Sequence, residues 1–138
     1  MQAGVPPRSA TKRILIVEDN ELNLKLLNDI LEVHGYITIV TGNGVAAIDL
    51  ARQHHPDLIL LDIQLPDISG TEVAQRLKAD AETREIPIVA VTAFAMPGER
   101  TMILESGCDD YMSKPINIYD FLALVERYTN GNRSELTC

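Results

Sequence analysis

The chain has 138 residues, of which 46% are hydrophobic and 23% are charged, and its formal net charge is -8. This length suits one folded domain without disulfides or a structural metal, and the composition is that of an ordered globular protein. The negative charge disfavours sequence-independent binding to nucleic acid or to an anionic membrane. No aliphatic run approaches the ~20 residues of a membrane span, so we expect a cytoplasmic protein without membrane insertion.

The two ends of the chain differ from the rest in composition. The opening "MQAGVPPRSATK" places two prolines among small polar residues, and the closing "NGNRSELTC" is polar. Such segments are commonly loose ends of a domain. We therefore expect a flexible leader over residues 1–11, one domain over residues 12–129 and a tail over residues 130–138.

Short apolar runs alternate with helical patterns along the chain. The predicted strands cover residues 13–17, 36–40, 57–61, 86–92 and 109–113. The predicted helices are one from Asn20 to Gly35, one over 45–53, one over 70–79, one after Pro97 and one that carries Ile118 and Phe121. The sequence thus predicts five strands alternating with five helices.

The strands consist of continuous Val, Ile and Leu and do not alternate with polar residues. The run "LILL" before Asp62 is the clearest case. Strands of this kind are buried on both faces, which is typical of a parallel sheet with helices on each side. With right-handed crossovers, this predicts a three-layer, doubly wound α/β domain of the flavodoxin type, with strand order 2-1-3-4-5.

Polar side chains lie at the ends of four of these strands. Glu18 and Asp19 come after the first strand, Asp62 follows the third, Thr92 ends the fourth and Lys114 follows the fifth. Parallel strands deliver their carboxyl ends to one edge, so we expect these groups to share a crevice. Two carboxylates ~4 Å apart repel by roughly 4 kcal/mol at a dielectric of 20, which a divalent cation would remove. Oxygen ligands favour Mg²⁺ or Mn²⁺ over zinc.

Each residue also has an ordinary structural explanation. Glu18 and Asp19 can be acids at a helix amino end, and Asp62 can be a turn residue. Thr92 can be a strand-end hydroxyl, and Lys114 can be a solvated loop lysine. These separate explanations do not account for the convergence of all five residues on one predicted edge.

Four motifs carry a resemblance to a known family. The strings "LIVEDN", "PDLILLDIQLPDISG", "VAVTAFA" and "YMSKPI" resemble those of bacterial response-regulator receiver domains, in the same order and spacing over residues 13–128. The strings "VEDNELN", "LDIQLP", "VTAFAM" and "SKPI" resemble single-domain response regulators of the DivK type. The resemblance implies the CheY-like form of the doubly wound fold and a role in a two-component phosphorelay.

The resemblance assigns roles to the acids of the crevice. Asp62 would be the phosphoacceptor. Asp19 would bind Mg²⁺ directly, Glu18 would act largely through water, and the backbone carbonyl of Gln64 would supply a further oxygen, with Mn²⁺ as a substitute ion. The chain would catalyse only its own phosphorylation and dephosphorylation, and would not be a turnover enzyme.

The resemblance also names the groups that contact and read the phosphoryl group. Thr92, the backbone N–H of Ala93 and Lys114 would bind it, and the peptide bond before Pro115 would be cis. Tyr111 would be a switch aromatic that turns inward when Thr92 moves.

Two side chains at the crevice are candidates for setting the lifetime of the phosphoryl group. Gln64 follows Asp62 by two residues, and Phe94 follows Thr92 by two. Both would border the path of an attacking water. We expect the bulky Phe94 to shield the acyl phosphate.

The expected partners are proteins. A sensor histidine kinase or a phosphotransfer domain would dock on the first helix and the crevice loops, and it would recruit the protein to a cell pole in the manner of DivK. The candidate docking residues are Asn20, Leu22, Asn23 and Lys25. A downstream target would bind the fourth helix, fifth strand and fifth helix, and the chain itself would be a monomer or a weak dimer.

Three other functions fit the sequence less well. A Mg²⁺-dependent phosphatase usually has a second Asp two residues after its nucleophile, where this chain has Gln64. A flavin or nucleotide site would need a glycine-rich phosphate loop after a strand, which the sequence lacks. A phosphate-independent adaptor would not need Asp62, Thr92 and Lys114.

Overall fold

The computed structural model describes residues 11–93 and 97–130, over which five strands and five helices alternate. In chain order they are β1 Arg13–Val17, α1 Glu21–Val33, β2 Ile37–Thr41, α2 Gly44–His54, β3 Leu58–Asp62, α3 Gly70–Ala79, β4 Ile88–Thr92, α4 Pro97–Glu105, β5 Asp110–Ser113 and α5 Ile118–Thr129. The expected leader and tail lie outside the described residues except for Thr11 and Asn130, and Phe94 lies outside them too.

The strands form one parallel sheet in the order β2-β1-β3-β4-β5, which confirms the predicted topology. Strands β3 and β4 are buried along their whole length, as the continuous aliphatic runs predicted. In the register, Asp62 pairs with Val91 and Thr92 pairs with Ser113. The carboxyl ends of the central strands are therefore level with one another.

Two hydrophobic cores hold the helices against the sheet. On one face, Ala47 of α2, Val73 of α3 and Ile103 of α4 pack in a cluster with the inward side chains of the strands. On the other face, Leu27 of α1 and Phe121 of α5 belong to a second cluster. The domain thus has the three predicted layers. None of the helices in the described ranges is long and apolar enough to cross a bilayer.

Side chains fix where four of the helices begin. Each capping residue accepts a hydrogen bond from the backbone N–H of the third residue after it, which satisfies one of the unpaired donors of the first turn. The capping residues are Asn20, Asn43, Ser69 and Asn117. All four of these helices follow the carboxyl edge of the sheet, so the caps also fix loops at the edge that carries the site.

The bounds of β2, β3, β4 and β5 differ from the prediction by one or two residues, and hydrogen bonds explain the starts of β2 and β4. Strand β2 begins at Ile37 because the backbone N–H of Tyr36 still bonds the carbonyl of Leu31 in α1. Strand β4 begins at Ile88 because the backbone N–H of Ile86 bonds Thr83, and Pro87 has no N–H to donate.

Candidate functional site

A cleft of about 710 Å³ opens at the carboxyl edge of the sheet. Ends of β1, β3 and β5 and the loop after β4 form its walls. Six of the residues predicted for the site line it, namely Glu18, Asp19, Asp62, Gln64, Ala93 and Lys114. The structure therefore brings together side chains from four distant parts of the chain.

Three acids form a group at the floor of this cleft. One carboxylate oxygen from each of Glu18, Asp19 and Asp62 lies within 4.8 Å of the others. Glu18 is 2% exposed and Asp62 is 5% exposed, whereas Asp19 is open to solvent. Oxygen donors alone, two of them desolvated, fit a hard divalent cation such as Mg²⁺ better than zinc.

Lys114 lies between the two buried acids. Its Nζ donates a hydrogen bond to Oδ2 of Asp62 at 3.2 Å and lies 2.9 Å from Oε1 of Glu18, an ion pair without hydrogen-bond geometry. The lysine therefore supplies a positive charge next to both carboxylates.

The charges and the burial of this group change its acidity. Burial raises the pKa of Glu18, the neighbouring Asp62 carboxylate raises it further, and Lys114 opposes both effects. Burial alone would lower the pKa of Lys114, but its contacts with Glu18 and Asp62 outweigh this and raise it. Lys114 therefore stays protonated, whereas ionisation of Glu18 is disfavoured because its carboxylate is desolvated and close to that of Asp62.

Backbone donors hold the two buried carboxylates in place. The N–H of Gln64 donates to Oδ1 of Asp62 at 3.0 Å, and the N–H of Asn20 donates to Oε2 of Glu18 at 3.1 Å. Each acid thus has one oxygen bonded to the backbone and the other facing Lys114. These contacts fix the orientation of both carboxylate groups.

Gly70 allows the loop after β3 to fold back on Asp62. A Cβ atom at this position would lie 2.4 Å from the carbonyl oxygen of Asp62 and 2.7 Å from Cα of Ile63. The Gly70 N–H also donates to the carbonyl of Ile63 at 2.8 Å. This close approach requires glycine and keeps the loop tight under the cleft.

The fifth strand delivers Lys114 through its backbone. The N–H of Lys114 donates to the carbonyl of Thr92 at 2.8 Å, and the peptide bond between Lys114 and Pro115 is cis. This backbone bond holds Lys114 beside the end of β4.

Thr92 lies at the end of β4 and is fully buried. Its hydroxyl donates a hydrogen bond to Oε1 of Glu99 in the first turn of α4, at 3.2 Å. Sequence reasoning missed Glu99, because an acid in the first turn of a helix is usually explained by the helix dipole. Ala93, the next residue after Thr92, is exposed and lines the cleft.

Tyr111 lies away from the cleft on β5. It is half-buried and packs against the core that contains Ile103, and the guanidinium of Arg100 lies 5.7 Å from the centroid of its ring. Arg100 was not predicted either, because a contact between α4 and β5 has no local pattern. Gln64 is exposed at the cleft mouth.

Comparison with known proteins places this geometry in a family. The model of the response regulator receiver domain matches residues 14–126. The polar-differentiation response regulator DivK of Brucella ovis is 56% identical over 118 residues, which cover 86% of this chain and 96% of the relative.

Solved structures agree with this assignment. The receiver domain of a sensor histidine kinase from Pseudomonas aeruginosa PAO1, which has a magnesium ion coordinated in its active-site cleft, is 31% identical with a TM-score of 0.82, covering 88% of this chain and all of that one. A BeF3-activated receiver domain from Klebsiella pneumoniae is 28% identical with a TM-score of 0.79, over 85% of this chain and 97% of that one. By sequence, topology and site geometry, the chain belongs to the response regulator receiver domain family.

Proposed function

We propose that the chain is a single-domain response regulator whose residue Asp62 accepts a phosphoryl group from a phosphohistidine. The observation that carries this proposal is the placement of Asp62 between Lys114 and two further acids in an open cleft. A buried carboxylate with a cation on one oxygen and a backbone donor on the other is held ready to attack.

The acid cluster is the proposed magnesium site. Glu18, Asp19 and Asp62 would hold the ion together with the backbone carbonyl of Gln64, and Mn²⁺ would serve as a substitute. When bound, the ion neutralises charge on the transferring phosphoryl oxygens and cancels the repulsion among the acids. Burial and the nearby Asp62 raise the pKa of Glu18, so its ionised form is costly unless a cation lies close to it. This supports a cation site at the cluster.

The transfer itself needs one nucleophile and several charge-stabilising groups. A carboxylate oxygen of Asp62 attacks phosphorus in line, the new P–O bond forms, and the imidazole nitrogen leaves with the electrons of the broken P–N bond. Lys114 stabilises the negative charge of the equatorial oxygens. Thr92 and the backbone N–H of Ala93 would donate to the bound phosphoryl group. Water attacking the same phosphorus releases inorganic phosphate and restores Asp62.

Two residues close in sequence to Asp62 and Thr92 would set how long the phosphoryl group lasts. Gln64 is exposed beside Asp62, and Phe94 lies outside the described residues, two positions after Thr92. We propose that Phe94 shields the acyl phosphate from water. The Phe94→Ala variant should then dephosphorylate faster than wild type, and an equal or slower rate would contradict the shielding role.

The proposed donor is a histidine kinase or a phosphotransfer domain that docks on α1. Asn20, Leu22, Asn23 and Lys25 lie there beside the cleft, and Leu22 is 80% exposed. A large apolar side chain so exposed is suited to a protein contact. By analogy with the Brucella relatives, we propose a role in cell polarity, with recruitment to a pole by the kinase.

The proposed output surface is the face formed by α4, β5 and α5. Tyr111 lies on this face, next to the helix that contacts Thr92. Phosphorylation would alter the surface and so the binding of a downstream protein. The proposal places the whole activity in residues 12–129, as a monomer or weak dimer.

Incubation with acetyl phosphate and Mg²⁺ tests the proposal. Mass spectrometry should show one adduct of ~80 Da that is stable in acid and labile in base, as expected for an acyl phosphate. Asp62→Asn should not form it, whereas Asp49→Asn, the same change on α2 away from the cleft, should form it normally. An adduct that persists in Asp62→Asn, or no adduct in wild type, would contradict the proposed site.

A further inference from the structure

Two adjacent residues in the first turn of α4 contact the two residues proposed to respond to phosphorylation. Oε1 of Glu99 accepts a hydrogen bond from Oγ1 of Thr92 at 3.2 Å, and the guanidinium of Arg100 lies 5.7 Å from the ring centroid of Tyr111. Successive residues of a helix point about 100° apart. One helical turn therefore reaches both the end of β4 and the side chain on β5.

The sheet places Thr92 and Tyr111 on the same face. Ala90 pairs with Tyr111 and Thr92 pairs with Ser113, so the two side chains lie on one side of the β4–β5 ladder, two residues apart along it. Helix α4 covers this side, anchored by the fully buried Ile103. The helix is therefore placed to sense a change at either residue.

The hydroxyl of Thr92 carries one hydrogen and cannot donate it fully to two acceptors. A bond to Glu99 and a bond to a phosphoryl oxygen on Asp62 therefore compete. Both acceptors are anionic, so the two bonds are of the same charge-assisted kind and similar strength. The free-energy difference between the two hydrogen-bonded states is therefore small, and a small change in either bond shifts the populations of the two states.

We infer that Glu99 is a positioning residue that holds the Thr92 hydroxyl on α4 in the resting state and competes with the phosphoryl group for its hydrogen. This inference rests on the proposed function. When the Thr92 hydroxyl donates to the phosphoryl group instead, the carboxylate of Glu99 loses this hydrogen bond. The first turn of α4 then rearranges, and Arg100 moves off the Tyr111 ring. A single proton donor thus links the chemistry at Asp62 to the surface of α4 and β5.

The test measures binding of beryllofluoride, which in the presence of Mg²⁺ binds an aspartate and stands in for its phosphoryl group. In calorimetric titrations of the full chain, Glu99→Ala should bind beryllofluoride about fivefold more tightly than wild type, the size expected for removing one competing hydrogen bond. Glu99→Gln should tighten binding less than Glu99→Ala, because its amide oxygen still accepts from Thr92, although more weakly than a carboxylate. Glu105→Ala, which removes an exposed acid at the other end of α4, should bind like wild type.

These variants separate the hydrogen bond from simple charge. Equal tightening in Glu99→Ala and Glu99→Gln would mean that Glu99 acts through its negative charge, and it would overturn the inference. Unchanged or weaker binding by Glu99→Ala would overturn it as well. Wild type that fails to bind beryllofluoride would contradict the proposed function itself and the inference with it.

Two further readouts exclude a merely structural role. In a Thr92→Val background, Glu99→Ala should no longer tighten binding, and tightening that persists there would show that Glu99 does not act through the hydroxyl. In ligand-free Glu99→Ala, the amide NMR signals of Arg100 and Tyr111 should move toward their positions in beryllofluoride-saturated wild type. Signals that stay at the ligand-free wild-type positions would overturn the inference.

Discussion

Nζ of Lys114 lies 3.2 Å from Oδ2 of Asp62, so the proposed nucleophile is in direct contact with a cation. Lys114→Met removes this charge and keeps most of the side-chain length. We expect phosphorylation by acetyl phosphate to slow by roughly 100-fold, the effect of losing one group that stabilises transition-state charge. The measurement is the rate of adduct formation by mass spectrometry. Lys12→Met, at the opposite edge of the sheet, is the control, and equal rates in the two variants would contradict this role.

Gly70→Ala should damage both stability and phosphorylation. The added Cβ would meet the backbone of Asp62 and Ile63 at 2.4 and 2.7 Å, so the loop under the nucleophile must shift. We expect a loss of about 2 kcal/mol in the free energy of unfolding, the usual size for overpacking, and slower phosphorylation. Urea unfolding and adduct formation measure the two effects.

Gly98→Ala is the matched control for this prediction. Among the described residues, no atom beyond its chain neighbours and its own helix backbone lies within 4 Å of a Cβ built at Gly98, which is in the first turn of α4. The change should leave stability equal or slightly higher, because alanine favours a helix over glycine. If Gly70→Ala were as stable and as active as Gly98→Ala, the close approach at Asp62 would not matter.

Lys78 joins three parts of the domain and should contribute strongly to stability. Its Nζ donates to the carbonyls of Arg84 and Ile86 at 3.1 and 3.0 Å and to Oδ2 of Asp109 at 3.1 Å. Lys78→Met should lower the free energy of unfolding by about 2 kcal/mol, because it removes three hydrogen bonds, of which the one to the carbonyl of Ile86 is partly buried. Urea titration measures the change.

The comparison for Lys78 is a lysine in an exposed ion pair. Lys25 pairs with Asp29 at 2.9 Å, with side chains 75% and 53% exposed. Lys25→Met should lower the free energy of unfolding far less than Lys78→Met, because exposed ion pairs on helices contribute little. Similar losses in both variants would argue against the special position of Lys78.

Asp67 should make stability depend on pH in the acid range. Its pKa is below the ordinary value because the backbone N–H groups of Gly44 and Val45 each hydrogen-bond its carboxylate at 2.9 Å. This stabilisation is complete above the unfolded pKa of about 3.9 and is lost as the pH falls through the lower folded pKa. Asp67→Asn should therefore have a lower Tm than wild type at pH 7, with a gap that narrows below about pH 4.

Thermal unfolding followed by circular dichroism from pH 7 to pH 2 measures this gap. Asp49→Asn, on an exposed face of α2, is the matched substitution and should change Tm little at pH 7. A gap for Asp67→Asn that stays constant across the acid range would exclude the carboxylate as its source.

The fold was predictable because its signals are local or repeat along the chain. Continuous aliphatic runs revealed strands buried on both faces, and the shared edge of a parallel sheet then placed Asp62 near Glu18 and Lys114. The capping residues mark helix starts in the same way. The boundaries of β2 and β4 shifted by one or two residues because single backbone bonds, such as that of Tyr36, decide them.

Contacts between separate segments could not be predicted. Asp67 looks like an ordinary turn residue in "LPDISG", and no local pattern shows that it caps α2. Glu99 and Arg100 look like surface residues of a short helix, and only the packing of α4 shows that they reach Thr92 and Tyr111. These contacts depend on how the layers pack, which periodicity does not encode.

The cleft is assembled from residues that begin at Glu18 and end at Lys114, so nearly the entire domain must be in place before the pocket exists. A nascent chain still on the ribosome, or a product truncated before β5, lacks the lysine that completes it. We therefore expect fragments that stop before β5 to lack the complete cleft and to remain unphosphorylated.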